Sequence, residues 1–196
     1  MVYDVGYNSK GYYKVKVKGK ATTAYITWRN MLQRCYDSKY HIDSPTYIGC
    51  TVCSEWLDFQ VFAKWYSDNY YKLPNEKTHL DKDMLIRGNK IYSPETCLFI
   101  PQSINSLLTL CNARRGNLPL GVNYDRKKYK ASCSIEGKQI TLGAFNTPEQ
   151  ASEVYQTFKR KVIYTTIERY DNIIPANVSV KLYSSLEEDE DKNDQC

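Results

Sequence analysis

Hydrophobic residues recur with a helical period in two stretches of the first half of the chain. In residues 23–36 the apolar side chains fall on one face, which predicts a helix. A second apolar stripe begins after Ser54, a residue type that caps helices, and predicts a helix that ends near Tyr70. For residues 37–53 we expect a loop with little regular structure. The apolar positions of the two stripes are Tyr25, Trp28, Leu32 and Cys35, and Trp56, Phe59, Phe62, Ala63 and Tyr66.

Alternating apolar and polar residues predict strands in three other parts of the chain. Residues 7–20 predict one or two short strands, whose lysines either contact phosphate or protect a solvated edge. Residues 79–105 predict a strand, a turn, a second strand and a helix entered through Pro101. Residues 120–145 predict three short strands separated by two turns. In residues 7–20 we expect Tyr13, Val15 and Val17 to face inward and Lys14, Lys16 and Lys18 to face outward.

A helix is predicted after the three strands, with Thr147 as its cap and Pro148 at its first position. Together these elements predict an α+β fold, in which a first module is followed by a three-stranded antiparallel sheet packed on one helix. The apolar face of this helix is expected at Ala151, Val154, Tyr155, Phe158 and Val162. The predicted organisation is a first domain at 1–111, a polar linker at 112–118, a second domain at 119–170, a strand or extended tail at 171–186 and a disordered acidic tail at 187–196.

The charge is unevenly distributed along the chain. The formal net charge is +5, but residues 187–196 carry six acids and one lysine, so the remaining chain carries +10. A basic body indicates a polyanionic partner, although solvated lysines would give the same composition. The sequence shows neither a signal peptide nor an apolar run of about 20 residues, so we expect an intracellular, cytoplasmic protein.

Seven cysteines do not make an even disulfide framework, and an intracellular protein keeps its thiols reduced. Cys50 and Cys53 have the spacing of a zinc-ligand pair, which Cys35, Cys97 or His41 would have to complete. Buried, inert thiols are the alternative that we favour for these cysteines.

An acid pair and a carboxamide in residues 79–105 suggest a site for a metal ion. Asp81 and Asp83 lie on the first predicted strand, and Asn105 lies one turn into the helix. Their oxygen atoms are ligands that suit a hard cation such as Mg²⁺ or Mn²⁺. An ordinary polar hairpin, in which Asp83 caps the turn, is the competing interpretation.

The segment HLDKDMLIRGNKIYSPETCLFIPQSIN resembles the HNH, or ββα-metal, nucleases of phage homing-type endonucleases. The resemblance, which covers residues 25–112, implies a metal-dependent DNA endonuclease that acts in the phage-infected host cell. It implies that Asp81, Asp83 and Asn105 hold Mg²⁺ or Mn²⁺ and that His79 or Asp81 activates water. The histidine usual in this family is absent, since its position is taken by Asp81 or, in another alignment, by Lys82. The alternative is therefore a degenerate nuclease that binds DNA or regulates a host protein.

The segment GVNYDRKKYKASCSIEGKQITLGAFNTPEQASEVY resembles the Apetala-type, or ethylene-response-factor-type, DNA-binding domain. This resemblance covers residues 119–163 and implies a sheet that lies in the major groove of double-stranded DNA. The acidic tail could in addition contact a host protein as a DNA mimic. Strand alternation predicts that Tyr129, Ala131, Cys133, Ile135, Ile140 and Leu142 pack on the helix. The residues predicted to face DNA are Arg126, Lys128, Lys130, Ser132, Ser134, Gln139 and Thr141.

Overall fold

The structure is a computed structural model that describes residues 1–86, 88–108, 118–135 and 137–191. It shows a mixed α+β protein with small sheets. No helix in these residues is long and apolar enough to cross a membrane. The chain divides into two compact units, of which the first comprises Met1–Lys72 and Thr78–Ile100 and the second Leu73–Lys77 and Pro101–Cys196.

Short strands and three helices make up the first unit. β1 and β2 form an antiparallel hairpin, β3 pairs with β5 in parallel, and β4 pairs with β6. The parallel pair brings together residues about 40 positions apart in the chain. The elements are β1 (Lys16–Val17), β2 (Lys20–Ala21), α1 (Thr23–Tyr36), α2 (Ser38–Asp43), β3 (Thr51–Val52), α3 (Phe59–Asn69), β4 (Thr78–Asp81), β5 (Ile91–Tyr92) and β6 (Leu98–Pro101), with 3-10 turns at Pro45–Tyr47 and Ser54–Leu57.

The core of the first unit is aromatic and lies where α1 packs on α3. Trp28 and Phe59 are fully buried, with ring centroids 5.6 Å apart. The Trp28 Nε1 donates a hydrogen bond of 2.7 Å to the carbonyl of Trp56, so the buried indole keeps a polar partner. Both predicted apolar stripes face this core, and Tyr25, although only half-buried, packs against it.

Local capping explains where the helices differ from expectation. α1 has the predicted bounds, and Thr22 caps it. The predicted loop at 37–53 contains α2, because the Asp37 carboxylate accepts hydrogen bonds from two backbone N–H groups at its start. The main helix after Ser54 begins later than expected, because Asp58 is its cap and a 3-10 turn precedes it. Val17, expected to face inward, is 52% exposed in the short hairpin.

A three-stranded antiparallel sheet, in the order β7-β8-β9, dominates the second unit. Ala131 and Cys133 of the central strand are buried where α5 packs on the sheet. A bulge leaves Leu142 without a partner between the pairs Ala131–Gly143 and Ser132–Thr141. Ile140, expected under the helix, is 39% exposed. The elements are α4 (Gln102–Leu108), β7 (Val122–Asp125), β8 (Lys128–Ile135), β9 (Lys138–Phe145), α5 (Pro148–Arg169) and α6 (Ala176–Asp191).

α5 begins as predicted, since Thr147 caps it and Pro148 is its first residue. Its buried face differs in part from the predicted one. Val154, Phe158 and Val162 are only half-buried, because the buried positions follow a spacing of three or four residues that starts from Ala151. The buried residues of α5 are Ala151, Tyr155, Lys159, Ile163, Thr166 and Ile167.

The segment after the second domain is helical, whereas we expected a strand or an extended tail. The carbonyl of Pro175 accepts hydrogen bonds from the N–H groups of Val178 and Ser179, which starts α6. Val178 and Leu182, one helical turn apart, are both buried. Apolar residues with this spacing favour a packed helix over a strand.

The expected linker and acidic tail fall largely outside the described residues. Residues 112–117 of the linker and 192–196 of the tail belong to the parts that the structure does not describe. α6 includes residues 187–191, which we expected to be disordered. α4 groups with the second unit, whereas the predicted boundary placed it in the first. In the second unit the Ser103 N–H and hydroxyl both donate to the Glu76 carboxylate, which helps to hold α4 there.

Replacement by alanine should destabilise the protein to very different extents at two glycines that have the same backbone conformation. Gly121 has φ +77, and a Cβ built on it would lie 2.0 Å from the Tyr155 ring. Gly137 has φ +76 and nothing within 4 Å of such a Cβ. We expect Gly121→Ala to destabilise the second unit by about 3 kcal/mol or more, and Gly137→Ala by about 1 kcal/mol. Denaturant unfolding measures both; equal losses would show that Tyr155 does not pack on the chain at Gly121.

Candidate functional site

The turn after β4 is organised by Asp81. Its Oδ1 accepts hydrogen bonds from the N–H groups of Asp83, at 2.9 Å, and Met84, at 2.6 Å. Burial raises the pKa of the Asp81 carboxyl above its usual range, and the two backbone N–H groups oppose this effect. Asp81, rather than Asp83, therefore caps the turn.

Next to Asp81, a lysine lies inside the protein. Lys82 is 6% exposed, and its Nζ is 2.7 and 2.8 Å from the two carboxylate oxygens of Asp83. A third hydrogen bond, of 2.6 Å, goes to the carbonyl of Asn89. The ammonium group also lies 5.9 Å from the centre of the Tyr92 ring. Because a lysine has three N–H donors, each of them has a partner here.

Asn89 holds the other side of this turn in place. Its amide nitrogen donates to the carbonyls of Lys82 and Ile91, and its Oδ1 accepts from the Ile91 N–H. Lys82 and Asn89 therefore form two hydrogen bonds with each other, since the side chain of each residue donates to the backbone carbonyl of the other. The turn is a preorganised hydrogen-bonded unit in which an internal cation is central.

Two of the residues predicted to hold a metal ion, Asp81 and Asp83, take part in the turn itself. The Asp83 carboxylate forms an ion pair with the Lys82 ammonium group. Its oxygen atoms, which are of the kind that Mg²⁺ prefers, therefore already have a partner. β4 ends at Asp81, so Asp83 follows the strand on which it was predicted, and Asn105 lies on α4. His79 and Asp81 are half-buried on β4, on either side of buried Leu80.

Lys82 and Asn89 were not predicted to organise this turn. One available signal was strand alternation, since Lys82 follows the apolar Leu80 by two residues and so belongs to the inward face. A lysine on an inward face requires an acid and carbonyl groups around it, which Asp83 and Asn89 supply.

The described cysteines of the first unit are buried or half-buried free thiols. Burial raises the pKa of the Cys35 and Cys97 thiols to about 12 each, so both thiols are protonated near neutral pH in the metal-free protein. Nε2 of His41 lies 2.8 Å from the carbonyl of Arg34. Among the described residues, no group of three or more His, Cys, Asp or Glu side chains is placed to hold a metal ion. Cys50 is buried and Cys53 is half-buried, and both are free.

The second candidate is the face of the β7-β8-β9 sheet opposite α5, here called the outer sheet face. The register places one run of alternate residues on it, away from buried Ala131 and Cys133. Of the residues predicted to face DNA, Lys130 and Ser132 are half-buried and the others are exposed. The residues of this face are Asn123, Asp125, Lys128, Lys130, Ser132, Ser134, Gln139, Thr141 and Ala144.

Several polar side chains on the outer sheet face contact one another. Lys130 forms an ion pair with Asp125, which reduces the net positive charge of the outer sheet face. Lys128 hydrogen-bonds to the side chain of Asn146, and the Gln139 amide donates to Ser132 Oγ at 3.2 Å. The face is therefore less basic than its lysines alone suggest.

Two basic residues form the turn between β7 and β8, here called the basic turn. Arg126 has φ 50° and Lys127 has φ 64°, so both lie in the left-handed region. A two-residue hairpin turn of this type normally contains Asn and Gly, because each bulky residue there costs about 1–2 kcal/mol. Arg126 was predicted to face DNA but Lys127 was not, although the two-residue spacing between strands already required both conformations. Both side chains are exposed.

No family model, curated protein or solved structure matches this chain significantly.

The buried lysine can be tested by its effect on stability. We expect Lys82→Ala to lower the free energy of unfolding of the first unit by about 2–3 kcal/mol, because three hydrogen bonds of a charged group are lost. Lys82→Met keeps most of the apolar stem and separates packing from charge. Lys39→Ala, an exposed lysine of the same unit, should change stability by less than about 0.5 kcal/mol. Equal losses for Lys82→Ala and Lys39→Ala in denaturant melts would contradict the role given to Lys82.

Proposed function

We propose that the protein binds double-stranded DNA through the outer sheet face and the basic turn of its second unit. The observation that carries the proposal is the basic turn itself. A turn of Asn and Gly would be more stable, yet this position holds two exposed cations in left-handed conformations. Strain at a surface turn is a frequent mark of function, here the presentation of two cations beside the sheet.

The remaining features of the sheet are compatible with a groove of duplex DNA. Strands and β-ribbons enter the major groove, which is about 12 Å wide. Serine, threonine and glutamine side chains on the outer sheet face donate and accept hydrogen bonds with phosphates or base edges. Its one acidic residue in the described strands, Asp125, is already paired with Lys130. The contacts are mainly with the backbone, so affinity depends strongly on salt.

The decisive variant removes charge while improving the turn. Arg126→Asn with Lys127→Gly replaces the basic turn by residues that favour its backbone conformation. We expect the free energy of unfolding to rise by about 1 kcal/mol and duplex binding to weaken, with the salt dependence reduced by about two units of slope. Fluorescence anisotropy with a duplex oligonucleotide at several salt concentrations measures the binding.

The control removes two exposed cations elsewhere. Lys39→Gln with Lys161→Gln changes the net charge equally and should leave the affinity for duplex DNA nearly unchanged. Equal weakening by both double variants would mean that overall charge, and not the basic turn, determines binding. Unchanged binding by the turn variant would place the DNA contacts elsewhere.

A metal-dependent DNA endonuclease of the HNH type is the second candidate function. The order of β4, its partner β6 and then α4 supports it, as does the presence of His79 and Asp81 on β4. The internal ammonium at Asp83 favours instead the degenerate form, in which the first unit keeps its architecture without metal chemistry. The acidic C-terminal residues as a contact for a host protein remain a further proposal.

Cleavage assays separate the two forms. Supercoiled DNA is incubated with the full chain and Mg²⁺ or Mn²⁺, and the nicked and linear products are measured. The endonuclease hypothesis predicts that Asp81→Ala abolishes the products, that Asn105→Ala and His79→Ala reduce them, and that the exposed acid variant Asp43→Ala does not. Should the wild-type chain bind DNA but yield no product with either metal, the degenerate form is correct.

A further inference from the structure

The amino-terminal segment of the first unit forms an open groove that neither proposed function uses. The groove has a volume of about 830 Å³. Here it is called the amino-terminal groove, and it lies beside the start of α3. It is lined by Asn8, Ser9, Lys10, Gly11, Tyr13, Lys14, Val15, Lys16, Tyr25 and Gln60.

The backbone of this groove is held in place by one glutamine. Gln60 Oε1 accepts a hydrogen bond of 2.9 Å from the Tyr13 N–H, and its amide nitrogen donates to the Tyr13 carbonyl and to Asn8 Oδ1. Gly11 lies so close that a Cβ on it would be 2.3 Å from Gln60 Oε1. Thr22 Oγ1 donates to the carbonyl of Lys14. The segment is therefore a preorganised surface rather than a free tail.

The groove is strongly cationic. Residues 5–36 contain seven lysines and arginines and no acidic residue. The lysines at the groove, Lys10, Lys14 and Lys16, are all exposed, and none of them takes part in the ion pairs of the described residues. Asp58 contacts the segment, but it is 8% exposed and its Oδ1 accepts from the N–H groups of Ser9 and Gln60. A polyanion is the ligand that this charge favours.

Exposed aromatic rings accompany the lysines. Tyr12 is 89% exposed, and its ring meets the Tyr13 ring edge to face at 5.4 Å. Tyr7 is 51% exposed on the same segment. Neither ring belongs to the lining of the groove, but Tyr12 is bonded directly to the lining residues Gly11 and Tyr13. Bases inside a duplex already stack on one another and offer few free faces to such rings. Unpaired bases do stack on such rings, while lysines track the phosphates.

We propose that the amino-terminal groove binds single-stranded nucleic acid without sequence preference, with Tyr12 stacking on a base and Lys10, Lys14 and Lys16 contacting phosphates. The site belongs to the first unit and does not depend on duplex binding by the second. It provides a contact for a strand that is displaced or unpaired.

The test uses the full chain and a fluorescein-labelled 15-nucleotide oligothymidylate, with binding measured by anisotropy at several salt concentrations. Lys10→Gln with Lys14→Gln and Lys16→Gln should weaken binding and reduce the salt dependence by about two units of slope, since each phosphate contact on a single strand contributes about 0.7. Tyr12→Ala should weaken binding about tenfold with the slope unchanged, while Tyr12→Phe keeps the affinity.

Three controls make the outcome specific. Lys39→Gln with Lys72→Gln and Lys161→Gln removes the same charge from other exposed positions and should have little effect. A 15-mer of abasic phosphates should bind wild type about as weakly as oligothymidylate binds Tyr12→Ala. The Arg126→Asn, Lys127→Gly variant should keep its affinity for oligothymidylate, which distinguishes this site from the sheet.

Two results would overturn the proposal. In the first, the groove variant and the charge-matched control weaken oligothymidylate binding equally. In the second, Tyr12→Ala binds like wild type, or the abasic strand binds as tightly as oligothymidylate, so that no base is stacked. Thermal melts of each variant confirm folding, which the exposure of all four substituted residues favours.

Discussion

The packing of α1 on α3 through Trp28 is the interaction on which the first unit depends. Trp28 fills the aromatic core, and its Nε1 hydrogen-bonds to the carbonyl of Trp56 just before α3. That bond fixes the start of α3, where the Tyr7 N–H donates to the Leu57 carbonyl and the Phe59 N–H to the Tyr7 carbonyl. The aromatic core therefore also fixes the position of the amino-terminal groove, because the residues before the groove are hydrogen-bonded to the start of α3.

The turn after β4 depends in a similar way on the buried ammonium group of Lys82. Burial of Lys82 would be unfavourable in an apolar environment, but two Asp83 oxygens and the Asn89 carbonyl compensate its charge and its N–H groups. Asp81 closes the same turn through backbone N–H groups. Asp81 and Asp83, two of the residues that suggested a divalent cation, thus also organise this turn through hydrogen bonds and an ion pair.

The two proposed nucleic-acid surfaces differ in the groups that they present and in how the backbone holds those groups. The basic turn of the second unit presents cations from a strained but rigid hairpin, next to a sheet whose polar side chains are partly paired with each other. The amino-terminal groove presents exposed lysines, with the exposed Tyr12 beside them, from a segment held by side-chain hydrogen bonds. Rigid positive charge suits a duplex backbone, whereas stacking requires bases that are not paired.

Periodicity alone determined the elements whose stability is local. The bounds of α1, the cap and first residue of α5, and the three strands between 120 and 145 all follow from side-chain spacing and capping residues. The apolar stripe of α3 was predicted in the same way, because each of its residues repeats on one helical face.

Only the tertiary structure decided the features that depend on distant partners. β3 pairs with β5 across about 40 residues, and neither strand is long enough to carry a signal of its own. The spacing of Val178 and Leu182 is compatible with a helix after Pro175, but only the structure shows that both side chains are buried. The burial of Lys82 was not predicted either, although its partners Asp83 and Asn89 are only one and seven residues away in the chain. Sequence spacing identifies which residues share a face of a helix or strand. It does not identify the neighbours of a buried charge, because the oxygen atoms that compensate its desolvation are brought together only by the folded chain.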